Sequence, residues 1–144
     1  MDSETLKKKD SISREQLEIL FAEDSPTMRK GVICTLKKAG FENIVDFVNG
    51  EQALAYIMER YKKEALRSLE SVVLISDIEM PRMDGLTLCR SIKQDPDLKA
   101  IHVIMFSSLI NSQMVEKCKK VNADGYVSKP ETNQLIQILD GRCR

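Results

Sequence analysis

Short apolar runs alternate along this chain with stretches in which apolar residues recur every three or four positions. The runs are Leu17 to Ala22, Ile44 to Val48, Val72 to Ile75, Val103 to Phe106 and Tyr126 to Ser128. Between and after them lie five helical patterns. Met28, Val32, Leu36 and Ala39 form the first; Leu54, Ile57, Met58 and Tyr61 the second; Leu88, Cys89 and Ile92 the third. Met114, Val115, Cys118 and Val121 form the fourth, and Leu135, Ile136 and Leu139 the last. Punctuation agrees with the periods. Asp24-Ser25-Pro26 reads as a helix start with proline in the first turn, Gly40 and Asn49-Gly50 as stops, and Pro96 as the end of the third helix. The second helix has apolar positions to continue through Ala65, Leu66 and Leu69. Val72-Val73-Leu74-Ile75 has no polar interruption, as expected of a central parallel strand covered on both faces. The pattern predicts an α/β fold: a doubly wound, five-stranded parallel sheet with helices on both faces.

The first residues, with Lys7-Lys8-Lys9-Asp10, are polar and aperiodic, so 1–15 read as a tail or linker and 16–144 as one domain, with order beginning near Arg14. The 22 basic and 22 acidic residues among 144 cancel, which leaves no global footprint for nucleic acid or a membrane surface. No apolar run approaches the ~18–20 residues a membrane span requires, and no signal-peptide pattern opens the chain. Cys34, Cys89, Cys118 and Cys143 are scattered without a CxxC pair, as expected of reduced thiols in a cytosolic protein.

In open parallel sheets, ligands bind at the carboxyl ends of the strands. Those positions here carry Glu23 and Asp24 after the first run, Asp77 after the third, Ser107 at the end of the fourth and Lys129 after the fifth. Three clustered carboxylates repel one another unless a cation intervenes, and an all-oxygen acidic set suits Mg²⁺. Such an ion neutralises phosphoryl oxygens, so Asp77 becomes a candidate nucleophile that would form an acyl phosphate. Lys129 would supply a point charge and Ser107 a hydroxyl hydrogen bond to the transferred group. Taken singly, each residue has a plain alternative: a helix cap for Glu23-Asp24, a turn cap for Asp77, a loop start for Ser107 and an exposed amine for Lys129. Their conjunction at four strand ends is what turn chemistry does not supply. His102 and the Met80/Met83 pair read as structural, and no GxGxxG or GxxxxGK[ST] motif is present.

The segments Ala22-Glu23-Asp24-Ser25, Ser76 through Gly85, Ile104 through Ser108 and Ala123 through Pro130 closely resemble the receiver domains of bacterial response regulators. The resemblance runs from about Gln16 to Leu139. It implies that Asp77 takes phosphoryl from a histidine kinase. Asp24, Asp77 and the backbone carbonyl of Glu79 would bind Mg²⁺ directly, with Glu23 assisting through water. It also implies that Tyr126 is a switch aromatic that turns inward when Ser107 moves toward the phosphate. Within the family, Ile78 through Arg90, Phe106 through Asn111 and Ser128-Lys129-Pro130-Glu131 resemble the receivers of CheV-type chemotaxis coupling proteins. That subgroup implies a CheA-like kinase as donor and a coupling domain ahead of the receiver that links it to the chemoreceptor array. On that reading the chain is an excised domain or a free-standing one. Two positions depart from the common pattern: Ser107 stands where Thr is commoner, and Glu131 follows Pro130 where Phe is frequent. A haloacid-dehalogenase-type phosphatase also uses a strand-end Asp with Mg²⁺. It wants a second Asp two residues on and a Thr two further, where this chain has Glu79 and Pro81. A non-phosphorylated interaction module on the same fold is the remaining alternative.

Overall fold

The computed structural model describes residues 12–62 and 69–143. Five strands, β1 (Glu18–Ala22), β2 (Ile44–Phe47), β3 (Val72–Ser76), β4 (His102–Ser107) and β5 (Gly125–Ser128), alternate with five helices. The helices are α1 (Pro26–Lys38), α2 (Gly50–Tyr61), α3 (Gly85–Lys93), α4 (Ser112–Lys120) and α5 (Thr132–Arg142). All strand pairs are parallel, in the order β2-β1-β3-β4-β5. The expected doubly wound sheet is therefore present. Residues 1–11 of the expected tail, and Ala65 and Leu66 of the expected α2 extension, lie outside the described residues.

The period of two along each strand divides the core into two layers. Leu20, Leu74, Val103 and Met105 face one side, where they meet Ala53 and Ile57 of α2, Leu88 and Ile92 of α3, and Cys118 of α4. Ile19, Phe21, Val73, Ile75, Ile104 and Phe106 face the other, against Val32 and Leu36 of α1 and Leu135 and Leu139 of α5. Every residue of β3 is buried, because both faces of the central strand are covered. Met80 and Met83 pack against the first layer, as their reading as loop packing required. All four cysteines are free. Burial pushes the Cys89 thiol up to about 12, so it stays protonated and behaves as a small core residue.

Side-chain oxygens close the amino ends of four helices: Ser25 for α1, Asn49 for α2, Asp84 for α3 and Asn111 for α4. Each such cap contributes about 1 kcal/mol. At α1 the consequence is chemical. Ser25 Oγ accepts from the Met28 N–H at 3.3 Å, so Asp24 is not consumed by capping.

The chain passes from β1 outward to β2 and then returns to β3 on the other side of β1, which opens a crevice at the carboxyl ends of β1 and β3. Gly85 closes the loop beyond β3: its N–H donates to the Ile78 carbonyl at 2.8 Å. A Cβ there would collide with the Asp77 carbonyl oxygen and crowd Ile78 Cα. Backbone on both sides cannot yield easily, so Gly85→Ala is expected to destabilise the fold by about 2 kcal/mol, as overpacked sites do. Urea denaturation, read as a lowered midpoint at unchanged slope, checks this.

Candidate functional site: an acidic crevice with one ammonium

Register builds the site. Ala22 pairs with Ser76, so the next residues on the two strands, Glu23 and Asp77, emerge side by side. Asp77 N–H donates to the Ala22 carbonyl at 2.9 Å, and Glu23 N–H to the Phe47 carbonyl at 3.0 Å. Glu23 is 1% exposed and Asp77 7%, whereas Asp24 is exposed. Carboxylate oxygens of Glu23, Asp24 and Asp77 all lie within 4.8 Å of one another.

Lys129, directly after β5, answers this charge. Its Nζ donates to Glu23 Oε1 and lies 3.4 Å from Asp77 Oδ1. The ammonium also sits 5.9 Å from the centroid of the Phe106 ring, within cation–π range. The Lys129–Pro130 peptide bond is cis. Glu23 is then fully engaged, since its second oxygen accepts from the Ser25 N–H at 3.1 Å. Asp77 Oδ1 accepts from the Ile78 N–H at 2.8 Å. Even so, burial holds both Asp77 and Glu23 above the usual carboxylate range; Lys129 and the backbone donors offset this only in part.

The other expected residues fall at or beyond the margin. Glu79 and Asp24 line an open cleft of about 570 Å³ beside the cluster, together with Met80, Asp84, Met114 and Lys117. Ser107 is buried, and its Oγ accepts from the Leu109 N–H at 3.2 Å, so its hydroxyl serves its own loop. Its carbonyl accepts from the Lys129 N–H at 3.1 Å, which ties the ends of β4 and β5 together. Tyr126 is 42% exposed and points out of β5 rather than into the core. His102 opens β4, half-buried, 3.9 Å from Asp124 and remote from the crevice. Asp84, Lys117 and Arg29 also reach this rim without having been singled out by local pattern. Asp84 caps α3 through the Thr87 N–H, and the other two depend on elements distant in sequence.

Three carboxylates that share one small volume, two of them buried, form the hard, oxygen-only donor set that Mg²⁺ prefers. The residues present therefore fit that ion.

The response regulator receiver domain model matches residues 19–140, and the chain belongs to that family. Receiver domains of two-component systems are signalling modules, generally without enzymatic turnover; they bind Mg²⁺ at an acidic pocket and take phosphate from histidine kinases. Among relatives, the chemotaxis protein CheV3 of Helicobacter pylori is 34% identical over 130 residues, which cover 85% of this chain and 41% of that protein. The chain thus spans about two fifths of that relative's length. Chemotaxis protein CheY1 of the same organism is 30% identical over 121 residues, covering 84% of this chain and 91% of CheY1. Among solved structures, chemotaxis protein CheY4 of Vibrio cholerae superposes with a TM-score of 0.70 at 26% identity, covering 86% of this chain and 96% of that one. Among the described residues, no helix is long and apolar enough to cross a membrane.

The raised value of Asp77 has a testable sign. The folded state holds this proton more tightly than the unfolded chain does. Wild-type stability is therefore free of the penalty below the ordinary value of 3.8 and falls as pH rises through the higher folded value. Asp77→Asn carries no such penalty. In metal-free buffer it is expected to melt a few degrees above wild type at neutral pH, with the two curves converging as pH falls toward 3.8. Thermal melts across a pH series check this.

Proposed function

We propose that this chain is a phosphorylation-driven switch in which Asp77 accepts the phosphoryl group. The observation that carries the reading is the placement of the Asp77 carboxylate, buried at the crevice and flanked by two further carboxylates and one ammonium. Glu23 shares burial, a backbone N–H and contact with Lys129, but both of its oxygens are engaged, whereas the Ile78 N–H and Lys129 both meet the same Asp77 oxygen, Oδ1. Asp24, Asp77 and the Glu79 backbone carbonyl would hold Mg²⁺ directly. Glu23, whose oxygens are engaged by Lys129 and Ser25 N–H, would act through water. When bound, the ion supplies positive charge to the transferred oxygens.

The residues then divide the work. Asp77 attacks phosphorus; the phosphorus–nitrogen bond of a phosphohistidine donor breaks as the phosphorus–oxygen bond forms, and the departing imidazole takes up a proton. Lys129 needs only a short movement from Asp77 to reach a phosphoryl oxygen. Ser107 Oγ accepts the Leu109 N–H and keeps its own O–H to donate, so drawing the hydroxyl toward a phosphoryl oxygen would pull on the loop after β4. Inward packing of the exposed Tyr126 ring in response to that displacement would change the α4–β5–α5 surface. The domain catalyses only its own phosphorylation and dephosphorylation.

The similarity to CheV3 and CheY1 supports a role in chemotaxis, in the cytoplasm, with a CheA-like histidine kinase as donor. A CheV-type coupling domain would tether the receiver to the chemoreceptor array.

Incubation with Mg²⁺ and acetyl phosphate is expected to add one phosphate, stable in acid and labile in base, by intact mass. Asp77→Asn is expected to remain unmodified, and chelation of Mg²⁺ to suppress the adduct. Catalytic release of phosphate from added esters would instead indicate a phosphatase. Absence of any adduct on folded, Mg²⁺-supplied protein would leave an inert interaction module.

A further inference from the structure

Arg29 lies in the first turns of α1, and its side chain is only 14% exposed. The guanidinium bridges two elements. One terminal nitrogen donates to the Glu23 backbone carbonyl at 2.8 Å. Nε pairs with the Asp46 carboxylate of β2 at 2.9 Å. Glu23 N–H already donates to the Phe47 carbonyl. The Glu23 peptide units are thus fixed to the edge strand twice, once through the amide and once through Arg29. Asp24 follows immediately. Among the described residues no hydrogen bond or ion pair restrains its carboxylate, so its direction is inherited from the backbone held on its amino side.

We propose that Arg29 is a positioning residue for the divalent-cation site. By bolting the Glu23 carbonyl to Asp46, it sets the direction from which Asp24 meets Asp77. The inference rests on the Mg²⁺ reading given above, and it concerns how the site is held rather than which residues bind.

Two effects of removing Arg29 oppose each other, which gives the idea a sharp sign. Loss of a cation near three carboxylates, taken alone, would strengthen binding of a metal cation. That gain is small, because Asp46 already neutralises the guanidinium and salt screens the remainder. Loss of the bolt releases the Glu23–Asp24 peptide and weakens binding. Disturbing groups that orient metal ligands typically costs 10- to 100-fold in affinity, on the order of what is expected here at the lower end.

The test is calorimetric titration of the full chain with MgCl₂ at fixed ionic strength and without phosphodonor. Wild type is expected to bind, and Arg29→Met to bind about 10-fold more weakly. Arg29→Lys should fall between them, since an ammonium cannot reproduce the planar fork that meets both partners. Asp46→Ala, a change at a half-exposed carboxylate, should weaken binding in the same direction and so serves if Arg29→Met fails to fold. Thermal melts identify folded variants. Unchanged or tighter Mg²⁺ binding by folded Arg29→Met, or by Asp46→Ala alone where the former is unfolded, overturns the positioning role and leaves the metal reading standing. A wild-type chain that takes up no Mg²⁺ overturns the metal reading, and the positioning role with it.

Discussion

Crowding of negative charge at the end of an apolar sheet is the constraint on which the rest of this molecule depends. Two acids with almost no solvent access and a third beside them cannot all ionise cheaply. The surrounding groups answer that problem one by one. Lys129 spans Glu23 and Asp77, backbone N–H groups of Ser25 and Ile78 each meet one oxygen, and Ser25 caps α1 so that Asp24 remains available. Burial still dominates for Asp77 and Glu23. The resting protein therefore keeps an unmet demand for positive charge at one place on its surface.

The sheet distributes rigidity accordingly. β1 and β3, which deliver the acids, are central and covered on both faces, and their register is locked by pairing along their length. Ser107, Tyr126 and Lys129 belong to β4, β5 and the turn beyond, at one margin of the sheet. A change in charge at the centre can thus be answered at the margin without disturbing the strands that hold the nucleophile in the proposed chemistry.

Much of this was legible in the order of residues, for a physical reason. In a parallel sheet each strand ends on the same rim, so an acid or lysine placed directly after an apolar run is located by topology without knowledge of any contact. Glu23, Asp24, Asp77 and Lys129 converge for that reason, and Ser107 ends the strand next to Lys129 as its position required. What escaped depends on partners far apart in the chain. The Arg29–Asp46 pair joins a helix to an edge strand, Lys117 reaches the cleft from α4, and the contact of Gly85 with the Asp77 carbonyl appears only once the loop is closed. The short hydroxyl cap was also ambiguous: Asp24-Ser25-Pro26 announces a helix start, but not that serine rather than aspartate fills the role.

The bond between Lys129 and Glu23 has a consequence for sensitivity. The resting crevice carries a placeholder of its own, an ammonium that already satisfies part of the charge a divalent ion would satisfy. In the proposed mechanism, readiness to receive a signal is therefore a contest between an internal cation and an external one. A tighter internal pair would make a domain deaf until Mg²⁺ rose. A looser one would make a domain armed at every concentration the cell provides. On that proposal, the grip of a single lysine would set the threshold of the switch.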